Sequence, residues 1–566
     1  MRLVLRKRKI KTAAVAFLLL ILLAVLSFYA QRNAAELISF SKESGFYEES
    51  FYLEIEERRG YTFYYTLDGS APDMTSRQYT GPILMEDASG RENVYSVIED
   101  IPEIYLSAES IQRKPVYPVD KCNVIRVAAY DAWQQRTAEA TGVYFIGFQE
   151  KGGYDGMARV SLVTEPEHLF SYETGIYVFG RAGEEYKKLE EPSDDILEAN
   201  FYGRGREWER EALIHIFDPN GKALVFSKCG VRIHGGESRY NPQKSFNVYA
   251  RSAYDEGERF QYDLFENGTG PHKFILSAGG NDVLIKIKDY YAQKMAVEAD
   301  LDVATSKMFP CVLFLNGEYW GVYYLTESFD AAYLQDYFDV EESNGVIIKK
   351  RGRDLEEAEV AEGREEDRKL YQEMMEYIVG HDMREESAYQ KACEMIDIDS
   401  FVDYYAFEIY IGNLDWPDNN VALWRTRKKS EFSVWADGRW RYMLFDTNSG
   451  SVFADPEHNL LAGAVENDEL FASLIRNEEV ERKFRDRIRQ LENEIFCQEN
   501  VKQTFEKWND EMHTSITKSC ERYYDMEKIG GASQYLDSYL DYMQWFLKER
   551  PAYMEKYMDE CFGEEE

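Results

Sequence analysis

Apolar positions follow several different patterns along the chain, and the longest uninterrupted apolar run comes first. Residues 13–30 form an uncharged, almost wholly apolar run of 18 residues. Six basic residues precede it, namely Arg2, Arg6, Lys7, Arg8, Lys9 and Lys11. This length is near the minimum for spanning a bilayer, and a basic flank keeps its own end in the cytoplasm. We therefore predict a cytoplasmic stub and membrane anchor over residues 1–37.

A cleaved signal peptide is the alternative interpretation of this run. Signal peptidase needs small residues directly before the cut, and Phe28-Tyr29-Ala30 and Asn33-Ala34-Ala35 meet that need poorly. An uncleaved helix is favoured for this reason. The prediction places the chain in a membrane by one span, with the body of the protein outside the cytoplasm.

Residues 38–150 carry short alternating patterns that are typical of β-strands bounded by turns. An Asp68-Gly69 pair, followed by Pro72, is a turn signal between two of these segments. The strand-like segments lie at residues 51–55, 62–66, 124–130 and 143–146. The pattern predicts a small β-sandwich, in which Asp68 is a turn residue and not a ligand.

The remainder of the chain mixes strand and helix patterns. The pattern over residues 155–465 predicts an α+β domain, with a charged helical insertion at residues 352–394. Residues 466–566 predict amphipathic helices that complete this domain. The fold class is therefore α+β, with an N-terminal transmembrane helix, a small β-sandwich, a mixed domain and a helical C-terminal part.

Charge and cysteine content narrow the classes of function. Lys and Arg number 66 against 103 Asp and Glu, a net charge of −37. Nucleic-acid binding is excluded, because it requires a basic face against phosphate. The seven cysteines are scattered without C-x-x-C spacing, which excludes the usual zinc-ribbon signatures. Buried free thiols are the preferred interpretation, and one or two disulfides are the alternative.

One loop combines acids, amides and proline directly after an aromatic helix pattern. Asp415 and Asn420 stand five residues apart in it, and a predicted hairpin then leads to Asp446. Protein kinases space their catalytic Asp, a metal-binding Asn and a metal-binding Asp in this way. An ordinary turn and a calcium loop are the alternative interpretations. Asp418 is an alternative candidate to Asp415 for the catalytic base.

Three upstream segments support the kinase interpretation of this loop. Together with the loop and Phe445-Asp446, they resemble, in order and across residues 160–460, the CotH family of spore-coat protein kinases. The segments are Gly230-Val231-Arg232-Ile233-His234-Gly235-Gly236, Gln243-Lys244-Ser245-Phe246 and Leu315-Asn316-Gly317-Glu318-Tyr319-Trp320-Gly321. The resemblance implies an atypical kinase-like fold that transfers phosphate from ATP to Ser or Thr of a protein.

The resemblance also implies roles for individual residues and for cofactors. Asp415 would orient or deprotonate the acceptor hydroxyl, and Asn420 and Asp446 would hold Mg²⁺ or Mn²⁺ on the ATP phosphates. Arg232 and Lys244 are candidates for phosphate contacts.

Glu327 would form an ion pair with Lys244, as a kinase Glu does with its Lys. Tyr319, Trp320 and Trp424 are candidates for stacking on adenine, with burial in a core as the alternative. The family often has Pro-Trp-Asp before its metal acid, and this chain has Leu444-Phe445-Asp446.

A second resemblance concerns the predicted sandwich. Tyr65-Thr66-Leu67-Asp68-Gly69-Ser70-Ala71-Pro72 resembles the immunoglobulin-like domain at the C-terminus of chitobiases. That domain implies either a plain spacer or a weak contact with glycan or cell wall.

The function expected from both resemblances is a membrane-anchored bacterial surface kinase whose Ser/Thr acceptor is a coat or surface protein. The acidic chain leads us to expect a basic acceptor. The main alternative is a catalytically silent surface-binding or envelope-assembly protein. A third is a carbohydrate-active enzyme that pairs Asp415 with Asp446.

Overall fold

The computed structural model describes most of the chain, and it confirms the predicted α+β class. The predicted membrane segment, residues 13–30, lies outside the described residues. Among the helices that are described, none has both the length and the apolar composition that a membrane span requires. The described residues are 37–102, 114–184, 188, 198–255, 257–350, 358–527 and 530–563.

The N-terminal region is a small two-sheet sandwich. Its strands are β1 (Gly45–Tyr47), β2 (Phe51–Leu53), β3 (Tyr61–Thr66), β4 (Arg77–Gln78), β5 (Ile83–Met85), β6 (Asn123–Asp131) and β7 (Arg136–Ile146). A five-stranded sheet in the order β1-β7-β6-β3-β4 packs on the β2-β5 pair. Asp68 accepts the Ser70 N–H at 3.1 Å, so it is a turn residue as predicted.

A closed seven-stranded barrel follows the sandwich. Its strands are β8 (Ala158–Val163), β9 (Arg210–Phe217), β10 (Ala223–Ile233), β11 (Phe246–Tyr249), β12 (Lys273–Ser277), β13 (Met308–Leu315) and β14 (Glu318–Glu327). The order around the barrel is β10-β11-β12-β14-β13-β8-β9. Because successive strand residues point to opposite faces, β10 to β12 send Val231, Phe246 and Phe274 into the barrel core and turn polar residues outward.

A second sheet, in the order β16-β15-β17-β18, lies beyond the barrel. Its strands are β15 (Gly345–Lys350), β16 (Glu359–Glu362), β17 (Val421–Thr426) and β18 (Arg441–Met443). The segment predicted as a charged insertion supplies β16, which pairs with β15 through Ile348 and Val360. It also supplies two helices whose apolar residues, Met374 and Ile378 among them, join the main core.

Eleven helices are seen within the described residues. They are α1 (Pro166–Phe170), α2 (Lys288–Glu298), α3 (Ala331–Phe338), α4 (Arg368–Gly380), α5 (Glu386–Cys393), α6 (Ile398–Ile411), α7 (Leu460–Asn467), α8 (Glu469–Leu474), α9 (Glu478–Gln490), α10 (Gln498–Tyr523) and α11 (Ala532–Phe562). Helix α6 is buried on all sides except at Asp399, which fits its nearly continuous apolar and aromatic sequence. All seven cysteines are free, as predicted, and four of them are buried, namely Cys122, Cys229, Cys311 and Cys520.

The C-terminal helix α11 contacts the end of α6 through one buried arginine. Arg550 is fully buried, and its guanidinium donates to the carbonyl oxygens of Ile409 at 2.6 Å and Tyr410 at 3.1 Å. It also donates to the carbonyls of Pro456 at 2.8 Å and His458 at 2.9 Å. Carbonyls in the last turn of a helix lack intrahelical partners, so Arg550 fills that need for α6.

The sandwich and the barrel share an extensive interface, because β6 and β7 bury both of their faces. Ile125 and Tyr144 enter the sandwich core, whereas Val124 and Phe145 enter the main core. The Phe145 ring packs edge-on against Phe314, with ring centroids 5.0 Å apart.

Two carboxylates complete this interface. Glu318 accepts the N–H groups of Val94 at 2.5 Å and Ser96 at 2.8 Å. Glu165 accepts from Arg126 at 2.9 Å and from the Ala71 N–H at 2.6 Å. The turn that carries the chitobiase-like motif is therefore held against the barrel.

Candidate active site

The loop that carries Asp415 begins where α6 ends. Gly412 adopts a left-handed φ of 74° and ends the helix, as C-terminal glycines commonly do. The fully buried Asn413 accepts the Asp415 N–H through Oδ1 at 3.2 Å. The Asn419 N–H donates to the Asp415 carbonyl oxygen at 2.8 Å. Asp415 itself is half-buried, so its carboxyl reaches solvent from a backbone that is held on both sides.

Asn420 and Asp446 lie side by side at one end of a strand pair. Asn420 directly precedes β17, Asp446 follows β18, and the two strands pair antiparallel. The Asn420 side-chain amide donates to the Asp446 carbonyl oxygen at 3.3 Å, and both residues adopt left-handed φ values of 59° and 60°. The structure thus brings together the two residues predicted to hold a metal, through a contact between the Asn420 side chain and the Asp446 backbone.

The charge around Asp446 is mostly negative. Asp446 is open to solvent at the cleft, although protein atoms crowd its carboxyl. Burial, together with smaller contributions from the nearby carboxylates of Asp289 and Asp415, raises the pKa of Asp446 to about 6. An Asn448 hydrogen bond, at 2.5 Å, and the Lys349 ammonium act in the opposite direction. The predicted base and metal ligand are therefore electrostatic neighbours.

Asp289 is a member of this group that sequence reasoning missed. It lies in the first turn of α2 and accepts the Thr447 hydroxyl at 2.8 Å, one residue after Asp446. An acid in a first turn usually serves the helix itself, so its position in the sequence carries no sign of this contact.

The region between the Asp415 loop and the outer face of the barrel, here called the cleft, also carries cations from the barrel and the second sheet, with the acids Asp330 and Glu362 among them. Register pairs Arg232 with Asn247 and Tyr249 with Lys273, which places these side chains on the outer face of the barrel. Burial lowers the pKa of Lys273, and the nearby Lys349 and Arg232 lower it further. Lys349, at the end of β15, is the cation that also acts on Asp446.

Two of these cations, Lys273 and Lys349, were not predicted. Each stands at an end of an apolar strand segment, where a lysine usually only reaches solvent. Barrel closure and the second sheet bring them together, and neither is visible in local patterns. Arg232, which was predicted, donates to the Gly205 carbonyl at 3.0 Å and to the Tyr249 hydroxyl at 2.7 Å.

The predicted ion pair between Lys244 and Glu327 does not form. Through the register of β11, β12 and β14, Glu327 lies level with Val248. Lys244 is four residues away along the strand, or about 13 Å. The two side chains therefore have separate partners.

Lys244 is fully buried and does not reach the cleft. Its ammonium donates to the carbonyls of Arg239 at 2.5 Å and Asn241 at 2.8 Å, and lies 4.0 Å from the centre of the Phe201 ring. Burial lowers its pKa well below the usual value. Lys244 thus holds the turn that contains Arg239 and Asn241, and it does not make the expected phosphate contact.

Glu327 is held by its own neighbours at the end of β14. It accepts the Tyr337 hydroxyl at 2.6 Å and the Lys307 N–H at 3.0 Å. Burial raises the pKa of Glu327 to about 7. These contacts show a structural acid at this position.

The three aromatic candidates for adenine stacking all lie in hydrophobic cores. Tyr319, Trp320 and Trp424 are each about 1% exposed, so no face is open to a base. Trp320 donates its indole N–H to the Tyr177 hydroxyl at 2.8 Å. The alternative interpretation, core packing, is the correct one for all three.

Comparison with known families agrees with both halves of this architecture. The model of the chitobiase/beta-hexosaminidase C-terminal domain matches residues 42–91. The model of the CotH kinase protein family matches residues 231–554, which is more than half of the chain. No curated protein matches the chain. The protein therefore belongs to the CotH kinase protein family.

Proposed function

We propose that this protein transfers the γ-phosphate of ATP to Ser or Thr hydroxyls of another protein. One observation carries the proposal, namely the presence of both acids and cations at the cleft. Asp415, Asn420 and Asp446 lie together, and Lys349, which acts on Asp446, also acts on Lys273 beside Arg232. A metal–nucleotide complex needs both, because oxygen ligands bind the cation while lysines and arginines bind phosphate oxygens.

The donor set beside Asn420 fits Mg²⁺ or Mn²⁺. Mg²⁺ is usually held by one or two carboxylates and by substrate phosphates, and Asp446 and Asn420 offer such oxygens. In the described part of the chain, no three His, Cys, Asp or Glu side chains are placed to share one ion. When bound there, the cation would neutralise charge on the ATP phosphates. Neighbouring carboxylates that raise the pKa of Asp446 also favour a bound cation.

The remaining chemistry falls to the side chains themselves. The acceptor hydroxyl oxygen bonds to the γ-phosphorus, and the bond from that phosphorus to the leaving oxygen of ADP breaks. Asp415 takes the hydroxyl proton, since it is partly exposed to solvent on a loop that the Asn413 side chain holds. Lys349 and Lys273 offset the charge that gathers on the leaving phosphate. Asp418 lies on the same loop, and the spacing to Asn420 favours Asp415.

The alternative, a silent binding or envelope-assembly protein, is favoured by one observation. Active kinases hold their phosphate-binding lysine by a glutamate, and the pair expected here, Lys244 with Glu327, does not form. Lys273, by contrast, does have an acidic neighbour. The charge of Asp330 favours the protonated form of that lysine. We therefore place Lys273 in the phosphate-binding role.

Radiolabelled phosphate transfer tests the proposal. The full chain is incubated with γ-labelled ATP, Mg²⁺ or Mn²⁺, and Ser-containing acceptor peptides that are rich in Lys/Arg or in Asp/Glu. We expect label in the wild type and in a surface control, Asp541→Asn, and none in Asp446→Asn. Basic acceptors should label faster, because the chain carries a net charge of −37. A wild type without label, and without an ATP-dependent rise in melting temperature, would falsify the kinase.

Location and surface contacts form the second part of the proposal. We place the protein in a bacterial cell membrane by one N-terminal helix, with the body outside the cytoplasm. The sandwich carries a groove of about 500 Å³ lined by Phe40, Tyr79 and Pro82, which suits a weak glycan or wall contact. Protease treatment of intact cells should digest the body, and full protection would contradict this location.

A further inference from the structure

Beneath the Asp415 loop lies a glutamate to which no role has been assigned. Glu408, in the last turn of α6, has no exposed surface. Its Oε2 accepts the Asn413 side-chain amide at 2.9 Å. Its Oε1 is buried without a hydrogen-bond partner. A buried carboxyl group is costly, so its retention at this place needs a reason.

Asn413 connects this carboxyl to the predicted base. Its side chain is fully buried, donates to Glu408 through Nδ2 and accepts the Asp415 N–H through Oδ1 at 3.2 Å. The Asn413 backbone N–H also donates to the Glu408 carbonyl oxygen at 3.3 Å. Two consecutive side-chain hydrogen bonds therefore lead from Glu408 to the backbone of Asp415.

The other end of the loop is held from the same helix face. Tyr404 lies one turn before Glu408, and its hydroxyl donates to the Asn420 carbonyl oxygen at 3.3 Å. Residues four apart on a helix are neighbours on its surface. Tyr404 is itself buried at 1% exposure, and its ring stacks on Tyr442 with centroids 4.3 Å apart. One rigid helix thus contacts both the start and the end of the loop.

We propose that Tyr404 and Glu408 are positioning residues that set the separation between Asp415 and Asn420. Glu408 acts through Asn413 on the first of these, and Tyr404 acts directly on the second. The catalytic part of this inference depends on the proposed kinase function. The positioning part does not, because it concerns only the order of the loop.

The neutral state of the carboxyl agrees with this geometry. Burial, with a smaller contribution from the Asp289 carboxylate, raises the pKa of Glu408 to about 8, and the Asn413 hydrogen bond and the nearby Tyr404 hydroxyl act in the opposite direction. A neutral Glu still accepts from Asn413. Glutamine has the same shape and the same acceptor, so Glu408→Gln should preserve the contact, whereas Glu408→Ala removes it.

Steady-state kinetics on the full chain give the first measurement. We expect Glu408→Ala and Asn413→Ala to lower kcat by about 10- to 100-fold, because a small displacement of a catalytic group has an effect of that order. KM for ATP should stay within about twofold, since no nucleotide contact is removed. Glu408→Gln should retain kcat within about threefold, and Tyr404→Phe should fall between the two.

Amide hydrogen exchange of the peptide covering residues 412–420 gives a measurement that needs no turnover. Exchange should quicken in Glu408→Ala and Tyr404→Phe and stay at the wild-type rate in Glu408→Gln and in the surface control Asp541→Asn. Quickened exchange in a protein that never transfers phosphate would support the positioning role and contradict the kinase. An active wild type whose kcat and exchange are unchanged in Glu408→Ala would overturn the positioning role alone.

Discussion

Asp120, at the interface between sandwich and barrel, and Asp446, at the cleft, have pKa values that are shifted in opposite directions. At the interface, Asp120 accepts from Lys518 and from the Tyr154 hydroxyl, each at 2.6 Å. Burial favours a higher pKa there, but these hydrogen bonds outweigh it and lower the pKa of Asp120 to about 2. At the cleft, burial and neighbouring carboxylates raise the pKa of Asp446 to about 6.

This difference in pKa separates acids whose ionised form stabilises the fold from acids whose ionised form destabilises it. A paired carboxylate lowers the free energy of the folded state, whereas carboxylates that crowd one another raise it. Crowded carboxylates persist where a function requires them, and perturbed pKa values therefore gather at functional sites. Each prediction below tests one side of this comparison.

The largest expected effect is in Asp446→Asn, which should lose phosphate transfer without losing thermal stability. Asp446→Asn should lower phosphate transfer by about 1,000-fold, the loss typical of a removed charge-stabilising group. Its melting temperature at pH 7.5 should equal or exceed that of the wild type, because a repelling charge is removed. Asp120→Asn should do the reverse, with a lower melting temperature and normal transfer per folded molecule. Equal thermal losses in both variants would contradict the comparison.

The second prediction concerns Arg126→Met, which should weaken the interface between sandwich and barrel and leave the cleft unchanged. Arg126 contacts Glu165 at 2.9 Å, also pairs with Glu139, and is 8% exposed. Arg126→Met should lower the free energy of unfolding by about 2–4 kcal/mol, because it leaves carboxylates without their partner.

Its matched control is Arg136→Met, which removes a more exposed ion pair with Glu139 and should cost less than about 0.5 kcal/mol. Urea titration measures both variants. An interface that serves only as a loose tether would give the same small value for each.

The third prediction tests Lys349, the cation that acts on Asp446. Lys349→Met should raise KM for ATP by about 10- to 100-fold, the equivalent of one charge-assisted hydrogen bond. Lys350→Met, the next residue along β15, points to the other face of the strand and is the control. Initial rates over a range of ATP concentrations separate KM from kcat. A similar rise in both variants would remove Lys349 from the phosphate site.

The smallest expected effect is on stability against pH. The pKa of Asp446 is raised in the folded state, so its contribution is fully present below about pH 3.8 and is lost as pH rises through 6. The pKa of Asp120 is lowered, so its contribution is present above about pH 3.8 and is lost as pH falls through 2.

Melting temperatures measured from pH 2 to 8 should therefore show Asp446→Asn losing the first slope and Asp120→Asn losing the second. The Asp446 effect should stay below about 1 kcal/mol, because the residue as a whole is exposed and solvent screens its charge. A single slope that vanishes in both variants would show that the two acids are not independent.

The part of the site that was predictable is the part made by neighbouring segments. Asp415, Asn420 and Asp446 lie on one loop and one strand pair, so their spacing in sequence already implies closeness in space. The same holds for the turn at Asp68 and for the C-terminal helices.

The rest of the site depends on contacts between distant segments. Lys273 reaches Lys349 only because the barrel closes and the second sheet packs against it, and Asp289 reaches Asp446 only through the placement of α2. The Lys244–Glu327 pair was expected by analogy with kinases. Strand register, which a single sequence does not reveal, separates the two residues.

The contact made by Arg550 has a consequence for biosynthesis. The helix that sets the catalytic loop has its last carbonyls satisfied by a residue that is translated about 140 positions later. A ribosome-bound chain that lacks α11 therefore carries every predicted catalytic residue but not the support beneath their loop. The Asp415 loop would reach its final order only when synthesis is nearly complete, and a chain cut short before Arg550 should lack the proposed activity from the start.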